Sequence, residues 1–463
     1  MKSLFIRLFQ EDGQYYKEIN GIRTLLVTSK SLEEDLQKFK KYLKDRVAST
    51  PTKDVIEEGI GSVFFTGLGK GLFDAIFDNS GILKLLDFDR SDEKVFRLNF
   101  EITSEELMNC PWELMHNGQD WLWNLGFSIV RYKNDSSKRT ISIKPPLRLM
   151  SLVSIPTGYL PNDPENIRKG IEQIIGDINK EQGFELIKLE PLLNTHTDKI
   201  LNEIERFKPH IFLFIGHGAV EGEPSAIKSI RFDMNEGRDV VDPYTYEKVK
   251  DIFSSHTVKE NLGLVILSGC RTAKGNMSVS QAVIDAGIPN CIGMLEGTNM
   301  EYAFYKFPQQ FLRSFLDNFL ISNLSVEIGF NEAKKAVRLD DFGSPEWALP
   351  SLFVNYTTET IFKGLGEIGA IQKYLTEIKE QRLEARVQEL GEGNEYIEPC
   401  LKCKVDKRDK KQIFKKFGSE EKSSPEDLKE KTEAFTPFEI GDFLSSVHRR
   451  FFISADSGMG KTT

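Results

Sequence analysis

HIFLFIGHG (residues 210–218) and LGLVILSGCRTA (residues 262–273) decide the fold. Each is an unbroken apolar run that ends in glycine just before a reactive side chain. Strands buried on both faces read this way, and parallel sheets covered by helices bury their strands so. LRLMSLVSI (147–155), FELIKLE (184–190) and CIGM (291–294) repeat the pattern on either side. Between these runs lie PENIRKGIEQIIGDINK, THTDKILNEIERF, VDPYTYEKVKDIF and MSVSQAVIDAG, whose spacing predicts helices. Gly287 and Pro289 are stop signals for the last of them. FLRSFLDNFL and SVEIGFNEAKKAVR read as further helices, and PSLFVNY as a closing strand. Strand and helix alternate over 141–362, which predicts an α/β fold with a mostly parallel central sheet.

Residues 1–140 read as a separate N-terminal α/β part. LFIRLF and RTLLVTS are strand-like and bracket a polar turn at Asp12-Gly13. SLEEDLQKFKKYLKD, with Ser31 as its capping residue, and SVFFTGLGKGLFDAIF are expected helices. Gly67, Gly69 and Gly71 in the latter suit close helix packing, because no serine or threonine follows Lys70 as a phosphate loop requires. Phe304, Phe307, Phe311, Phe315 and Phe319 fall at helical spacing interrupted by Pro308, and are expected to be core.

The chain has 463 residues, 40% hydrophobic and 28% charged, enough for a substantial core and about three units. Its net charge of −9 argues against a main role in neutralising nucleic-acid phosphates. Five cysteines in this length do not make a disulfide framework. The N-terminus turns polar too early for a signal peptide, and no apolar run is long enough to span a membrane. A soluble, cytoplasmic protein without membrane insertion is expected. Cys400-x-x-Cys403 has no second pair to complete a zinc site, so no metal is expected.

Chemistry concentrates where two core strands end. In an open parallel sheet, functional groups gather beyond the carboxyl ends of the strands. If the two runs are neighbours, His217 and Cys270 emerge at one edge, roughly 50 residues apart in sequence, the separation of histidine and nucleophile in caspases. A free thiol has a pKa of about 8.5, so a nearby imidazole is needed to generate thiolate at neutral pH. The backbone N–H groups of Gly218 and Cys270 are placed by sequence to hold an oxyanion. No third member is evident. Asp233, Glu221, Glu223 or a backbone carbonyl could orient the imidazole.

FIGHG followed by LSGCRTA, with CPWELM upstream, resembles the CHAT domain, a caspase- and separase-related cysteine peptidase family. AVIDAGIPNCIGML, the later KKAVR and WALPSLFVNY extend the resemblance from about residue 96 to residue 356. One departure is Gly269, where the family often has alanine or another small residue. The resemblance implies a caspase-like three-layer α/β sandwich, with 1–140 as a degenerate companion half. It implies His217 as general base and Cys270 as nucleophile of a cysteine endopeptidase with protein substrates and no cofactor. In related peptidases an acidic residue after the strand corresponding to CIGM helps to bind a basic substrate side chain, which here points to Glu296 and Glu301; the alternative is that both are solvated loop acids. The alternative is a catalytically silent CHAT fold acting as an interaction module.

Residues 363–436 shift to charge-rich, partly helical sequence that reads as a linker. Over 437–463, FFIS leads into Ala455-Asp456-Ser457-Gly458-Met459-Gly460-Lys461-Thr462, a P-loop with alanine in its first glycine position. Gly458, Gly460, Lys461 and Thr462 are its phosphate- and Mg²⁺-binding residues by motif. The lead-in resembles NACHT-type NTPases of the STAND class. That resemblance implies that the natural protein continues into an NTPase using ATP and Mg²⁺ and self-associating through it. The peptidase would then be its effector, in prokaryotic defence.

Overall fold

A computed structural model describes residues 3–48, 62–77, 95–133, 140–143, 146–155, 163–183, 185–195, 197–218, 226–232, 239–297, 302–322, 325–340, 346–356 and 362–363. Met1–Ile178 with Leu186–Gly369 form one compact unit; a second comprises Asn179–Glu185 and Ala370–Thr463, almost wholly outside the described residues. The linker and P-loop expected from the sequence therefore lie outside the described residues, as do Glu301, Asp233, Glu221 and Glu223.

The first unit is built on an 11-stranded sheet. Its strands, in chain order, are β1 (Ser3–Glu11), β2 (Gln14–Ile19), β3 (Ile22–Leu25), β4 (Phe96–Ile102) and β5 (Phe127–Tyr132). A two-residue β6 (Ile141–Ser142) pairs outside it with β15 (Phe362–Lys363). The core strands are β7 (Leu147–Ser154), β8 (Ile187–Leu193), β9 (Ile211–Gly216), β12 (Leu264–Ser268), β13 (Asn290–Met294) and β14 (Pro350–Val354). A separate ribbon, β10 (Ala226–Phe232) with β11 (Asp239–Thr245), lies in the chain between β9 and β12.

The spatial order is β3-β2-β1-β4-β5-β14-β13-β12-β9-β7-β8. Strands β8, β7, β9, β12 and β13 are mutually parallel, whereas β14 is antiparallel to β13 and parallel to β5, β4 and β1. From β1 to β8 the sheet is thus two parallel runs of opposite direction, joined between β13 and β14, and β2 and β3 extend it antiparallel beyond β1. The regions read from sequence as 1–140 and 141–362 contribute strands to this one sheet. Mixed α/β architecture around a large, mostly parallel sheet is as expected.

Helices cover the apolar strands. They are α1 (Lys30–Ala48), α2 (Ser62–Ile76), the one-turn α3 (Glu105–Met108), α4 (Pro164–Gln182), α5 (Thr197–Phe207), α6 (Tyr246–Phe253), α7 (His256–Asn261), α8 (Val279–Asp285), α9 (Arg313–Ile321) and α10 (Val326–Asp340). Ile167, Ile171, Ile174, Ile175 and Ile178 bury one stripe of α4. A π-helical segment, Tyr302–Leu312, contains Pro308 and runs into α9. A proline cannot donate to the preceding turn, and a widened turn accommodates it. Phe307, Phe311, Phe315 and Phe319 are fully buried and successively stacked, at 4.7, 6.4 and 5.5 Å. Burying each such ring is worth about 1.5–3 kcal/mol.

Three local expectations differ. VDPYTYEKVKDIF is not one helix: Asp239–Thr245 is strand, and α6 begins at Tyr246. Val240, Val241 and the residue before Pro243 favour extended backbone. The N-terminal strand pair is a three-strand meander, with β2 inserted between turns at Asp12-Gly13 and Asn20-Gly21, all four at positive φ. The cap of α1 is Ser29, whose Oγ accepts from Leu32 N–H at 3.0 Å.

Among the described residues, two ion pairs are buried. Arg97 on β4 pairs with Glu327 on α10, and Arg131 on β5 pairs with Glu113 in the CPWELM segment. Gly69 of α2 meets that segment closely: a Cβ there would lie 2.1 Å from the Leu114 carbonyl oxygen. Gly69 and Gly71, the latter with a would-be Cβ 3.0 Å from Leu32 Cδ1, serve close packing as read from the sequence, whereas Gly67 has no neighbour within 4 Å of such a Cβ.

Candidate active site

Strands β9 and β12 are adjacent and in register from Leu264 opposite Ile211 to Ser268 opposite Ile215. The next positions, Gly216 with Gly269 and His217 with Cys270, therefore leave the sheet side by side at its carboxyl edge. His217 and Cys270 are both half-buried. The two chain turns touch: a Cβ on Gly218 would lie 1.8 Å from the Cys270 carbonyl oxygen. Glycine at 218 is required by this close approach. Gly216 is similarly confined, with a Cβ there 2.4 Å from the Ser154 carbonyl oxygen of β7.

The turn after Cys270 is held tightly. Arg271 takes a left-handed backbone conformation, φ 59°. Thr272, fully buried, donates its hydroxyl to the Gly269 carbonyl at 3.0 Å and accepts from Met294 N–H at 2.9 Å. Ala273 N–H donates to the Met294 carbonyl, 2.9 Å, so the nucleophile turn is stitched to the end of β13. Ser278 then caps α8 by accepting from Gln281 N–H.

Glu296 lies just past β13. Its Oε2 accepts from Arg271 Nε at 3.1 Å, and its Oε1 pairs with Lys274. Both cations flank the nucleophile turn, so this acid is at the site and already bound to cationic side chains.

Other cysteines and histidines have structural settings. Cys291 is fully buried in β13, and burial pushes its thiol up to about 12. Buried His210 accepts from Arg148 N–H through Nδ1 at 3.1 Å, and desolvation pushes it down to about 3. His116 accepts from Gly118 N–H at 3.0 Å and packs edge-on against Trp121. Among the described residues, no group of three His, Cys, Asp or Glu could hold a metal ion, and no helix is long and apolar enough to cross a membrane.

Sequence reasoning missed what anchors the loop beyond Lys274. Gly275 N–H donates to Asn109 Oδ1 at 2.8 Å, and Asn276 Nδ2 donates to the Thr103 carbonyl at 3.3 Å. These partners are remote in sequence, and no local pattern marks them.

A family model described as the CHAT domain matches residues 66–345, more than half of the chain. The chain belongs to the CHAT domain family. The match thus runs from within α2 to just before β14, taking in β4 and β5 of one run of the sheet and all five strands of the other. No curated protein matches the sequence. Among solved structures, this CHAT chain is similar to the Saccharomyces cerevisiae separase–securin complex, with a TM-score of 0.36 and 13% identity over 73% of this chain and 23% of that one. It is also similar to the Arg-specific cysteine proteinase gingipain R (TM-score 0.40, 12% identity, 78% of each chain). A third is the Drosophila initiator caspase Dronc (TM-score 0.31, 10% identity, 50% of this chain and 94% of that one). The chain thus spans about a quarter of the separase chain.

Proposed function

We propose that this CHAT chain is a cysteine endopeptidase acting through Cys270 and His217. The observation that carries the reading is the emergence of both residues from adjacent parallel strands at one sheet edge, with the Gly218 and Cys270 backbones in contact. His217 takes the Cys270 proton, and the thiolate attacks the scissile carbonyl carbon. The backbone N–H groups of Gly218 and Cys270 hold the resulting oxyanion. The His217 imidazolium then protonates the leaving amine as the C–N bond breaks. Water, deprotonated by His217, attacks the thioester and releases the second product and the free thiol.

A basic side chain beside the scissile bond is the accompanying reading of Glu296 and Glu301. Its support is the place of Glu296 just past β13, beside the nucleophile turn; a basic substrate side chain would have to displace Arg271 or Lys274 from that carboxylate. A peptide library cleaved only after acidic or apolar residues would overturn it. The peptidase would serve as effector of a STAND-type NTPase, in a defence or signalling context, with ATP and Mg²⁺ bound at the P-loop of Gly458, Gly460, Lys461 and Thr462. The support for this is the motif and its lead-in.

The test is to express the protein in host cells and compare new protein N-termini in the host proteome among parent, Cys270→Ala and His217→Ala. Cleavages present only in the parent support the reading. Identical profiles in all three reject it in favour of a silent interaction module.

A further inference from the structure

We infer that Asn109 is a positioning residue for the nucleophile loop, so that the N-terminal run of the sheet sets the reactivity of Cys270; the inference rests on the Cys270–His217 reading. The loop from Cys270 to Asn276 begins with a non-glycine residue in left-handed backbone, Arg271, and contains a second positive φ at buried Gly275, +80°. Such a conformation persists only where its surroundings over-determine it. On one side β13 and Glu296 do this, through Ala273, Thr272 and Lys274. On the other side the anchors come from the chain after β4: Asn109 Oδ1 takes the Gly275 N–H at 2.8 Å, and the Thr103 carbonyl takes the exposed Asn276 amide at 3.3 Å.

Asn109 is itself fixed. Its N–H donates to the Glu105 carbonyl at 3.1 Å, closing α3. The carbonyls on either side of it, those of Met108 and Cys110, both accept from the Arg131 guanidinium, the latter at 3.0 Å. Arg131 in turn is clamped by Glu113, with Nε–Oε1 at 3.3 Å and Nη2–Oε2 at 3.1 Å, and both side chains are buried. A rigid chain of contacts therefore runs from Arg131 and Glu113, through Asn109, to a backbone amide five positions after the nucleophile. Only the acceptor oxygen of Asn109 is used in this contact. Aspartate can replace it and alanine cannot.

Alkylation of Cys270 by iodoacetamide in the full chain, followed by peptide mass mapping from pH 6 to 9, reads the result without a known substrate. Asn109→Ala is expected to slow modification of Cys270 at neutral pH by about tenfold and to move the profile to higher pH, since small misplacements of a reacting group cost rates of this order or more. Asn109→Asp should stay within about threefold of the parent, because it keeps the hydrogen bond. Parent-like rates in Asn109→Ala, or an Asp variant as slow as the Ala variant, overturn the inference. Should Asn109→Ala not fold, Asn276→Ala, which trims an exposed side chain, is expected to slow Cys270 by roughly threefold; an unchanged rate there overturns it equally. His217→Ala separates the two readings. If it alkylates like the parent, the dyad fails; if it is slow while Asn109→Ala is not, only the positioning role fails.

Discussion

The two parallel runs of the sheet divide their work differently. In the run β8-β7-β9-β12-β13, strands β9, β12 and β13 bury no charged side chain and are apolar but for Ser268 and Asn290, and the reactive side chains stand just beyond the tips of β9 and β12. In the run β1-β4-β5-β14, the strands themselves bury polar and charged groups: Arg97 and Asn99 on β4, Ser128 and Arg131 on β5. Those charges do not line a reaction site. Arg97 donates to the Tyr356 carbonyl at 2.9 Å and pairs with Glu327; Arg131 holds Met108, Cys110 and Glu113. One run presents chemistry at its edge on an apolar body, and the other uses buried charge to fasten the segments that surround it.

The largest effects should fall at the tips of the first of these runs. Cys270→Ala is expected to abolish cleavage and His217→Ala to lower it by about 10²–10⁴-fold, the range for losing a general base. Gly218→Ala should be nearly as damaging, because its added Cβ would lie 1.8 Å from the Cys270 carbonyl oxygen. All three are checked by cleavage of a host-proteome substrate identified with the parent. Ordinary activity in Gly218→Ala would mean that the two turns need not touch.

Next comes the buried charge of the other run. Arg97→Ala leaves Glu327 buried without its cation and should cost about 3–5 kcal/mol in a denaturant titration. The double change Arg97→Met with Glu327→Leu should recover most of that, since paired apolar replacements of buried ion pairs are often neutral or stabilising. A cost below about 1 kcal/mol for the single change would remove the contrast between the runs.

Lys334 on α10 sharpens the same contrast through pH. It is 1% exposed among Trp123, Phe330 and Trp347, at 6.0, 5.3 and 5.7 Å from the rings. Burial is the main influence on it and pushes its ammonium down to about 8, against the smaller opposing pull of Glu113. The unfolded chain, with lysine near 10.4, holds that proton more tightly than the folded chain between these two values. Stability should therefore rise with pH from about 8 to about 10, by roughly 2–3 kcal/mol. Lys334→Met should remove that rise and raise stability at pH 7. Denaturant midpoints at pH 7 and pH 10 measure both, and a Met variant that keeps the rise would assign it to another group.

The run that bears the nucleophile was largely legible, because β9 and β12 are short apolar strands whose ends coincide with glycine and a reactive residue. Its edge was less so. FELIKLE is expected as a strand over 184–190, whereas β8 is Ile187–Leu193. An edge strand that is half-buried and includes Pro191 has neither alternation nor an apolar run to mark its ends. The N-terminal edge of the sheet, beyond β1, was harder to read. Strand β2, QYYKEI, has one fully buried residue, Lys17, whose ammonium donates to the Ala75 carbonyl at 2.8 Å. A strand whose inward residue is a lysine gives no hydrophobic signal. Asn109 illustrates the same limit at the site: its partner Gly275 is 166 residues away, and only the folded sheet brings them together.

The smallest effect concerns how the helices over the N-terminal run begin. Ser29 rather than Ser31 accepts from a first-turn N–H, that of Leu32, and Thr28 donates its hydroxyl to Glu33 at 2.8 Å. Leu32 is buried, and its Cδ1 lies 3.0 Å from where a Cβ on Gly71 of α2 would stand. The cap thus fixes the turn of α1 that seats Leu32 against α2, while α2 seats Gly69 against the CPWELM segment. Ser29→Ala should cost about 1 kcal/mol, the usual loss for an N-cap, and Ser31→Ala no more than about 0.5 kcal/mol. Urea midpoints of the two variants decide between the caps. Equal costs would place the start of α1 at Ser31 and detach the cap from the packing of Leu32. A larger loss at Ser29, with Cys270 alkylation unchanged, would show that helix seating at this end of the N-terminal run is energetically separate from the contacts that run through Arg131 to the nucleophile loop.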